Sequence, residues 1–523
     1  MDAFLRDPEA PAFEFRTRPV TRGQLLGLIR RCVLSLRAAG LGPEPGRPGS
    51  GVAISTAVTP EGFAAQIAAH LLGCRVTGLR PGLTPSQLGH VLGAGIDAVI
   101  ADESTATPDL LAAAGPIPVL DLLRDLLGGD LSGHSAPRLA DEPGRAAPDP
   151  ELTARARPGD IGLITLTSGS TGRPKGCAQT YQALGEHWSW QPARWSPTTV
   201  ALAAGYRRFL VFGTLTSAVM LEHLALCLLS GGTAVIPEAP LDFPQVWERH
   251  RITACLLTVP RLYQVLDTLR TEAVETGSLR ALLVAGSPLP PHRLAEAVRR
   301  LGPALHQGYG QTETGMLALL TPQDLAERPD QVLDSVGRPL PGVDVSVRDP
   351  DGRPVPAGRP GEIWVRSGGA MSGYWQDEAE TREVLRDGWI RTRDLGTLAA
   401  DGYLRLVGRA RDVIFVNAVL YYAGAIESAL AGHPDVDQAY VVGAPDERTG
   451  EAAHAFVVPA AGREPAADEL RAAVRDELGA AAVPATITLL TAVPVAPSGK
   501  PDKRALLALL AERPEPSGEV GHG

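Results

Sequence analysis

Residues Ile161 to Gly176 read IGLITLTSGSTGRPKG, an apolar, β-prone run that passes directly into a loop of Ser, Thr and Gly ending in a lysine. Small residues such as Gly169 and Gly172 let backbone N–H groups crowd around an anion. The hydroxyls of Thr167, Ser168, Ser170 and Thr171 add donors, and Lys175 brings a positive charge to the rim. This is the chemistry of a polyphosphate cradle. A Walker loop is excluded, because it requires a hydroxyl directly after the lysine, whereas Lys175 follows Pro174 and precedes Gly176. The bland alternative is a Gly/Ser linker, but linkers seldom abut a strand or end in Pro-Lys-Gly. Lysine usage weighs the same way. Of 49 basic residues only three, Lys175, Lys500 and Lys503, are lysine. A compact, strongly hydrated ammonium does something a planar guanidinium does not, so lysines kept in an arginine-rich chain are candidates for chemistry.

Further along, Gly308-Tyr309-Gly310-Gln311-Thr312-Glu313 sets a ring between two glycines and follows it with a hydroxyl and a carboxylate. The ring can stack on a purine. Taken alone, this is equally well a turn with a chance acid. Gly286-Ser287 follows an apolar strand, Asp394 sits in Arg391-Thr392-Arg393-Asp394-Leu395-Gly396, and Lys500 in Pro497-Ser498-Gly499-Lys500.

The elements that must position these groups alternate. Up to residue 160 the pattern predicts helices at Gln24–Ala39 and Phe63–Leu72 and strands at Gly51–Ala57 and Ala98–Ala101, with a Pro/Gly/Ala/Arg loop at 128–158. Beyond the phosphate loop, Tyr181–Gln191 and Leu210–Leu229 have helical spacing, followed by a strand at Thr233–Ile236. Strands at Arg251–Val259 and Leu279–Ala285 alternate with helices at Leu262–Thr271 and Leu294–Leu301. Residues 335–407 read as a small β-rich lobe and 413–506 as a small α/β domain. The tail, 507–523, is Pro/Gly-rich and expected to be disordered. The fold class is therefore α/β: a large part over residues 1–407 and a smaller C-terminal one, with Gly408-Arg409-Ala410-Arg411-Asp412 between them.

At 523 residues, 44% apolar and 21% charged, the chain reads as a globular protein of two to four lobes. A net charge of −10 argues against nucleic acid as a partner. The five cysteines are scattered and never spaced C-x-x-C, so neither a disulfide framework nor a zinc site is indicated, as suits a reducing cytoplasm. No signal peptide is read at the N-terminus. The longest apolar tract, Phe209–Ile236, is interrupted by Glu222, His223 and a Gly-Gly pair, which favours a buried core segment over a membrane span.

Leu-Thr-Ser-Gly-Ser-Thr-Gly-Arg-Pro-Lys-Gly at 166–176 closely resembles the phosphate loop of the adenylate-forming superfamily, which contains acyl-CoA ligases, peptide-synthetase adenylation domains and luciferases. The later motifs fall in the same order, and the resemblance spans roughly residues 20–506. It implies an ATP-dependent activation of a small carboxylic acid as its adenylate with Mg²⁺, then transfer to a thiol of CoA or of a carrier protein's phosphopantetheine. It also implies roles: Tyr309, with Gly286 and Ser287, at adenine, Thr312 at the α-phosphate, Glu313 on Mg²⁺ and Asp394 on the ribose. Arg409 would face ribose or phosphate at the hinge, and Lys500 would be the catalytic lysine, reaching ATP only when the small domain swings in. Lys503 is left as surface charge. Thr216, Gly286, Gly308 and Gly310 are expected to line the acid pocket, with Trp188, Trp190 and Trp195 hinting at an aryl or acyl guest.

Three departures bear on substrate and acceptor. Arg393 replaces a glycine before Asp394. Leu215-Thr216-Ser217-Ala218 offers no acid to an ammonium, which disfavours an α-amino acid. After the hinge, Ala418 stands where a glycine commonly lets a pantetheine pass, beside Asn417, the sole asparagine. An amine acceptor, or a small oxyanion as the activated group, therefore stays open, as does a nucleotide-binding pseudoenzyme.

Overall fold

A recurring local signal starts the helices. Thr59-Pro60, Thr84-Pro85, Thr107-Pro108, Ser196-Pro197 and Thr321-Pro322 each put a hydroxyl at the N-cap and a proline at the first helical position, and each hydroxyl accepts a backbone N–H from the first turn. The cap satisfies a donor that the helix cannot, and proline lacks a donor that would need one. In the computed structural model, residues 4, 6–42, 49–128, 150–168, 173–410, 412–417, 419–446, 448–496 and 500–511 are described.

Two large sheets carry the first 340 residues. One has nine strands, and its central six, Pro11–Phe15, Thr233–Ile236, Arg208–Leu210, Ala254–Thr258, Ala281–Ala285 and Leu305–Gln311, run parallel. The other has seven; Ile161–Ser168, Arg75–Gly78, Gly51–Ser55, Ala98–Ala101 and Val119–Asp121 are parallel, and Pro174–Thr180 and Gly373–Tyr374 close it in antiparallel fashion. The helices Arg22–Ala38 and Pro60–Leu71 share one apolar core with both sheets. Buried parallel strands explain the uninterrupted apolar runs in the sequence.

Five strands between Val343 and Arg409 make the β-rich lobe, and five between Val413 and Leu489 the C-terminal sheet, with the helices Ala423–Ala431 and Ala467–Leu478 on its core. The tail expectation needs correction. Residues 507–511 belong to the helix Lys503–Ala511, whose Leu506 is buried with Val442 and Phe456; residues 512–523 lie outside the described ones, as does 129–149 of the expected loop. Two helix expectations were also too long. Tyr181–Glu186 stops early, because His187 turns extended and enters the core. Leu210–Leu229 splits into a strand end, a turn through Gly213 at φ +80° and the helix Ala218–Leu229 capped by Ser217. Among the described residues no helix is long and apolar enough to cross a membrane.

Candidate active site

Three antiparallel hairpins bring the polar groups together. Ile161–Ser168 pairs with Pro174–Thr180, setting Thr167 opposite Lys175. Leu305–Gln311 pairs with Gly315–Leu320, so Thr312 and Glu313, both half-buried, sit in the turn between them. Trp389–Leu398 pairs with Leu404–Arg409, setting Asp394 opposite Arg409. Hairpin register is rigid, which makes these turns accurate platforms. Gly169, Ser170, Thr171 and Gly172, and the side chain of Ser168, lie outside the described residues, as do Ala418 and residues 497–499.

Asp394 is held by three side chains. Tyr309 donates its hydroxyl to Oδ2 at 2.7 Å, Gln311 Nε2 donates to the same oxygen at 2.6 Å, and Arg409 Nε lies 3.1 Å from Oδ1. Each carboxylate oxygen offers two lone pairs, so Oδ2 is full and the free acceptor capacity is on Oδ1. Ribose gripped by both oxygens, as the resemblance implies, would require Tyr309 or Gln311 to yield. Burial, with Asp394 beside it, pushes the Tyr309 phenol well above its usual value, so it acts as a donor. Gln311 carries no motif signal of its own and was missed in the sequence.

Glu313 Oε1 accepts the Tyr374 hydroxyl at 2.8 Å. Lys175 lies over the same tyrosine ring, its Nζ 5.4 Å from the centroid, and pairs with Glu380 Oε1 at 2.9 Å. Lys175 and Glu313 thus share one wall. Among the described residues no cluster of three or more His, Cys, Asp or Glu side chains is arranged to hold a metal ion. A single carboxylate suits Mg²⁺, which keeps waters and takes phosphate oxygens rather than an all-protein cage.

Lys500 enters from the C-terminal domain. An isolated pairing of Val495 with Pro501 closes its loop. A methyl group built on Gly286 would lie 3.8 Å from Lys500 Cε, so the lysine rests over the Gly286-Ser287 turn, where Gly286 has φ +100°. The side chain keeps exposed surface, yet the protein packed around its ammonium, and then Arg409, push its pKa below the usual lysine value, while Asp394 and Glu313 act the other way. Lys503 is not loose surface charge: it pairs with Asp412 at 2.8 Å and Glu427 at 3.2 Å, tying the last helix to the hinge.

The expected pocket residues divide. Gly286 is open to solvent. At Gly308 an added methyl would meet Leu283 Cδ1 at 3.1 Å and Met316 Sδ at 3.4 Å, and at Gly310 it would strike the Gly315 carbonyl at 2.3 Å. Thr216 packs on Gly78 and bonds Thr214 at 2.9 Å, so it seats the turn before the helix Ala218–Leu229 on the strand Arg75–Gly78. The stretch 215–218 has no acid, but the next turn of its helix does. Glu222, buried, meets His187 Nε2 at 3.0 Å behind Gly315. Burial would raise its pKa, and His187 outweighs that and holds it below the usual carboxylate range. In the sequence Glu222 marks the apolar tract as a buried core segment; its pairing with His187 joins two segments and carries no local signal.

The sequence profile of the AMP-binding enzyme family matches residues 2–375, and that of the AMP-binding enzyme C-terminal domain matches 425–500. The chain belongs to this family. It is an ATP-dependent, AMP-forming ligase with the family's large N-terminal and small C-terminal domains. A medium/long-chain fatty-acid–CoA ligase of Mycobacterium tuberculosis is 32% identical over 520 residues, covering 97% of this chain and 88% of that protein. A feruloyl-CoA synthase of an Amycolatopsis species is 33% identical, covering 94% of each. Among solved structures, the amide bond synthetase McbA of Marinactinospora thermotolerans is 34% identical with a TM-score of 0.80, covering 97% of this chain and 98% of that one.

Proposed function

We propose that this ligase activates an aryl or acyl carboxylic acid, not an α-amino acid, as its acyl-adenylate, releases pyrophosphate, and passes the acyl group to a thiol of CoA or of a carrier-bound phosphopantetheine. The observation that carries this reading is the entry of Lys500 from the small domain over Gly286, within electrostatic reach of Asp394, Glu313 and Arg409. A carboxylate is a poor electrophile and must first gain a leaving group. In-line attack on the α-phosphorus builds negative charge on its oxygens and on the departing pyrophosphate, and fixed donors in a water-poor cleft offset it. One such donor is worth roughly 10²–10³ in rate. Lys500 would bridge the acid and the α-phosphate, and Thr312 would donate to the latter. Lys175 and the hydroxyl loop would hold the β/γ end, and Asp394, placed by Tyr309 and Gln311, the ribose. Mg²⁺, held by Glu313 and phosphate oxygens, would neutralise phosphate charge when bound.

The test is Lys500→Ala. Acid-dependent ATP–pyrophosphate exchange is expected to vanish while calorimetric ATP binding survives; exchange at the wild-type rate would refute the assignment. A screen of carboxylic acids by pyrophosphate release names the substrate. The likeness to an amide bond synthetase, together with Ala418 in place of glycine, supports a second reading in which an amine intercepts the adenylate. Mass analysis of products formed with CoA, with an amine and with neither separates the two.

A further inference from the structure

Arg393 stands where the resemblance expects glycine, and its backbone has φ +59°, a region that costs a residue with a Cβ. What the side chain does there answers why the cost is kept. Arg393 Nη1 lies 2.8 Å from Glu380 Oε1, and Nη2 lies 3.8 Å from Glu383 Oε2. The Glu380 oxygen that takes Arg393 also takes Lys175 Nζ, at 2.9 Å. These three side chains are only 18–19% exposed, so water screens them poorly. Burial would raise the Glu380 carboxyl, and its bonds to Lys175 and Arg393 outweigh that and hold it below the usual range.

The cation assigned to the triphosphate is therefore tied to a carboxylate in this structure. To reach a phosphate it must leave Glu380, and a half-buried carboxylate resists the loss of a cation. We propose that Arg393 is a positioning residue for ATP: it keeps Glu380 neutralised while Lys175 exchanges that carboxylate for the nucleotide's phosphate. The inference rests on the reading of Lys175 as a phosphate ligand. It accounts for a guanidinium at a backbone position made for glycine. It also accounts for both cations meeting one oxygen, since the exchange needs only Lys175 to turn while Arg393 stays.

The experiment is a cycle at two positions, read as the KM for ATP and the kcat in pyrophosphate exchange. Arg393→Gly relieves the backbone, so the fold should hold, and thermal melting checks that. It is expected to raise the KM for ATP roughly fivefold to tenfold with little change in kcat, because a Glu380 that has lost one of its cations holds Lys175 more tightly. Adding Glu380→Gln should restore the wild-type KM, since the carboxylate that holds the lysine is gone. An unchanged KM in Arg393→Gly overturns the proposal. So does failure of the rescue, which would mean that the guanidinium touches phosphate itself or merely braces the lobe. Lys175→Met separates the layers. If it raises the KM while Arg393→Gly does not, only the role of Arg393 falls; if it has no effect, the phosphate role of Lys175 falls and the proposal with it.

Discussion

The choice between lysine and arginine is a statement about geometry at single residues. Lys500 sits against Gly286, a position that has no Cβ to stand in the way of a slender ammonium. A guanidinium is wider, planar and spreads its charge, and Arg409 already supplies that kind of group beside it. Lys500→Arg is therefore expected to leave below about 1% of wild-type pyrophosphate exchange, in keeping with loss of one preorganised donor. Activity within threefold of wild type would show that charge alone suffices. The scarcity of lysine singles out Lys175 and Lys500 in the sequence, and the structure puts the first beside Glu380 and Tyr374 and the second over Gly286. Lys503, left as surface charge in the sequence, has a structural role that depends on Asp412 and Glu427, which meet it only after the last helix folds back on the hinge. Gln311, Tyr374 and Glu380 were illegible for a related reason. Each acts on an active-site group, Asp394, Glu313 or Lys175, that belongs to another segment.

At the scale of elements, sheet and helix types were readable because apolar periodicity and Ser/Thr-Pro starts act locally. The strands Ala98–Ala101 and Thr233–Ile236 coincide with their predicted bounds. Failures occurred where a tertiary partner overrode local preference. The helix beginning at Tyr181 ends at Glu186 because His187 turns inward to Glu222, which lies 35 residues later on the helix Ala218–Leu229. That pair joins two elements behind the Thr312-Glu313 hairpin. Glu222→Ala would leave buried His187 without its acceptor and is expected to cost about 3 kcal/mol, measured by urea unfolding at neutral pH. The sign with pH follows from a folded-state pKa below the unfolded one. The contribution is complete above the ordinary carboxylate value of about 4.3 and disappears as pH falls through the depressed folded value. The gap between wild type and variant should therefore close in acid; a gap that widens there would mean that the carboxylate is not what stabilises the native state.

For the whole molecule, the proposed function puts the activating lysine and the phosphate loop on different domains, so that chemistry would depend on how the domains meet. Arg293, on the helix Pro291–Leu301 of the large domain, is fully buried with its ring-stacking partner Tyr263, 4.7 Å from the guanidinium carbon. It pairs with Asp437 on the first residues of the strand Val436–Asp446 of the small domain. Its other guanidinium nitrogen keeps Glu296 at 3.0 Å, so removing Asp437 does not strand the charge within the large domain. Asp437→Asn should thus weaken the seating of the small domain more than the fold of either part. Because seating places Lys500 over Gly286, the expected result is a roughly tenfold slower pyrophosphate exchange, with acyl transfer from supplied acyl-adenylate close to wild type. Equal losses in both half-reactions, or a fall in melting temperature matching the loss of activity, would show that the pair supports folding and not the closed arrangement. The distinction matters because, in the function proposed, the two lysines, 325 residues apart, would share a nucleotide only while that contact between domains is made.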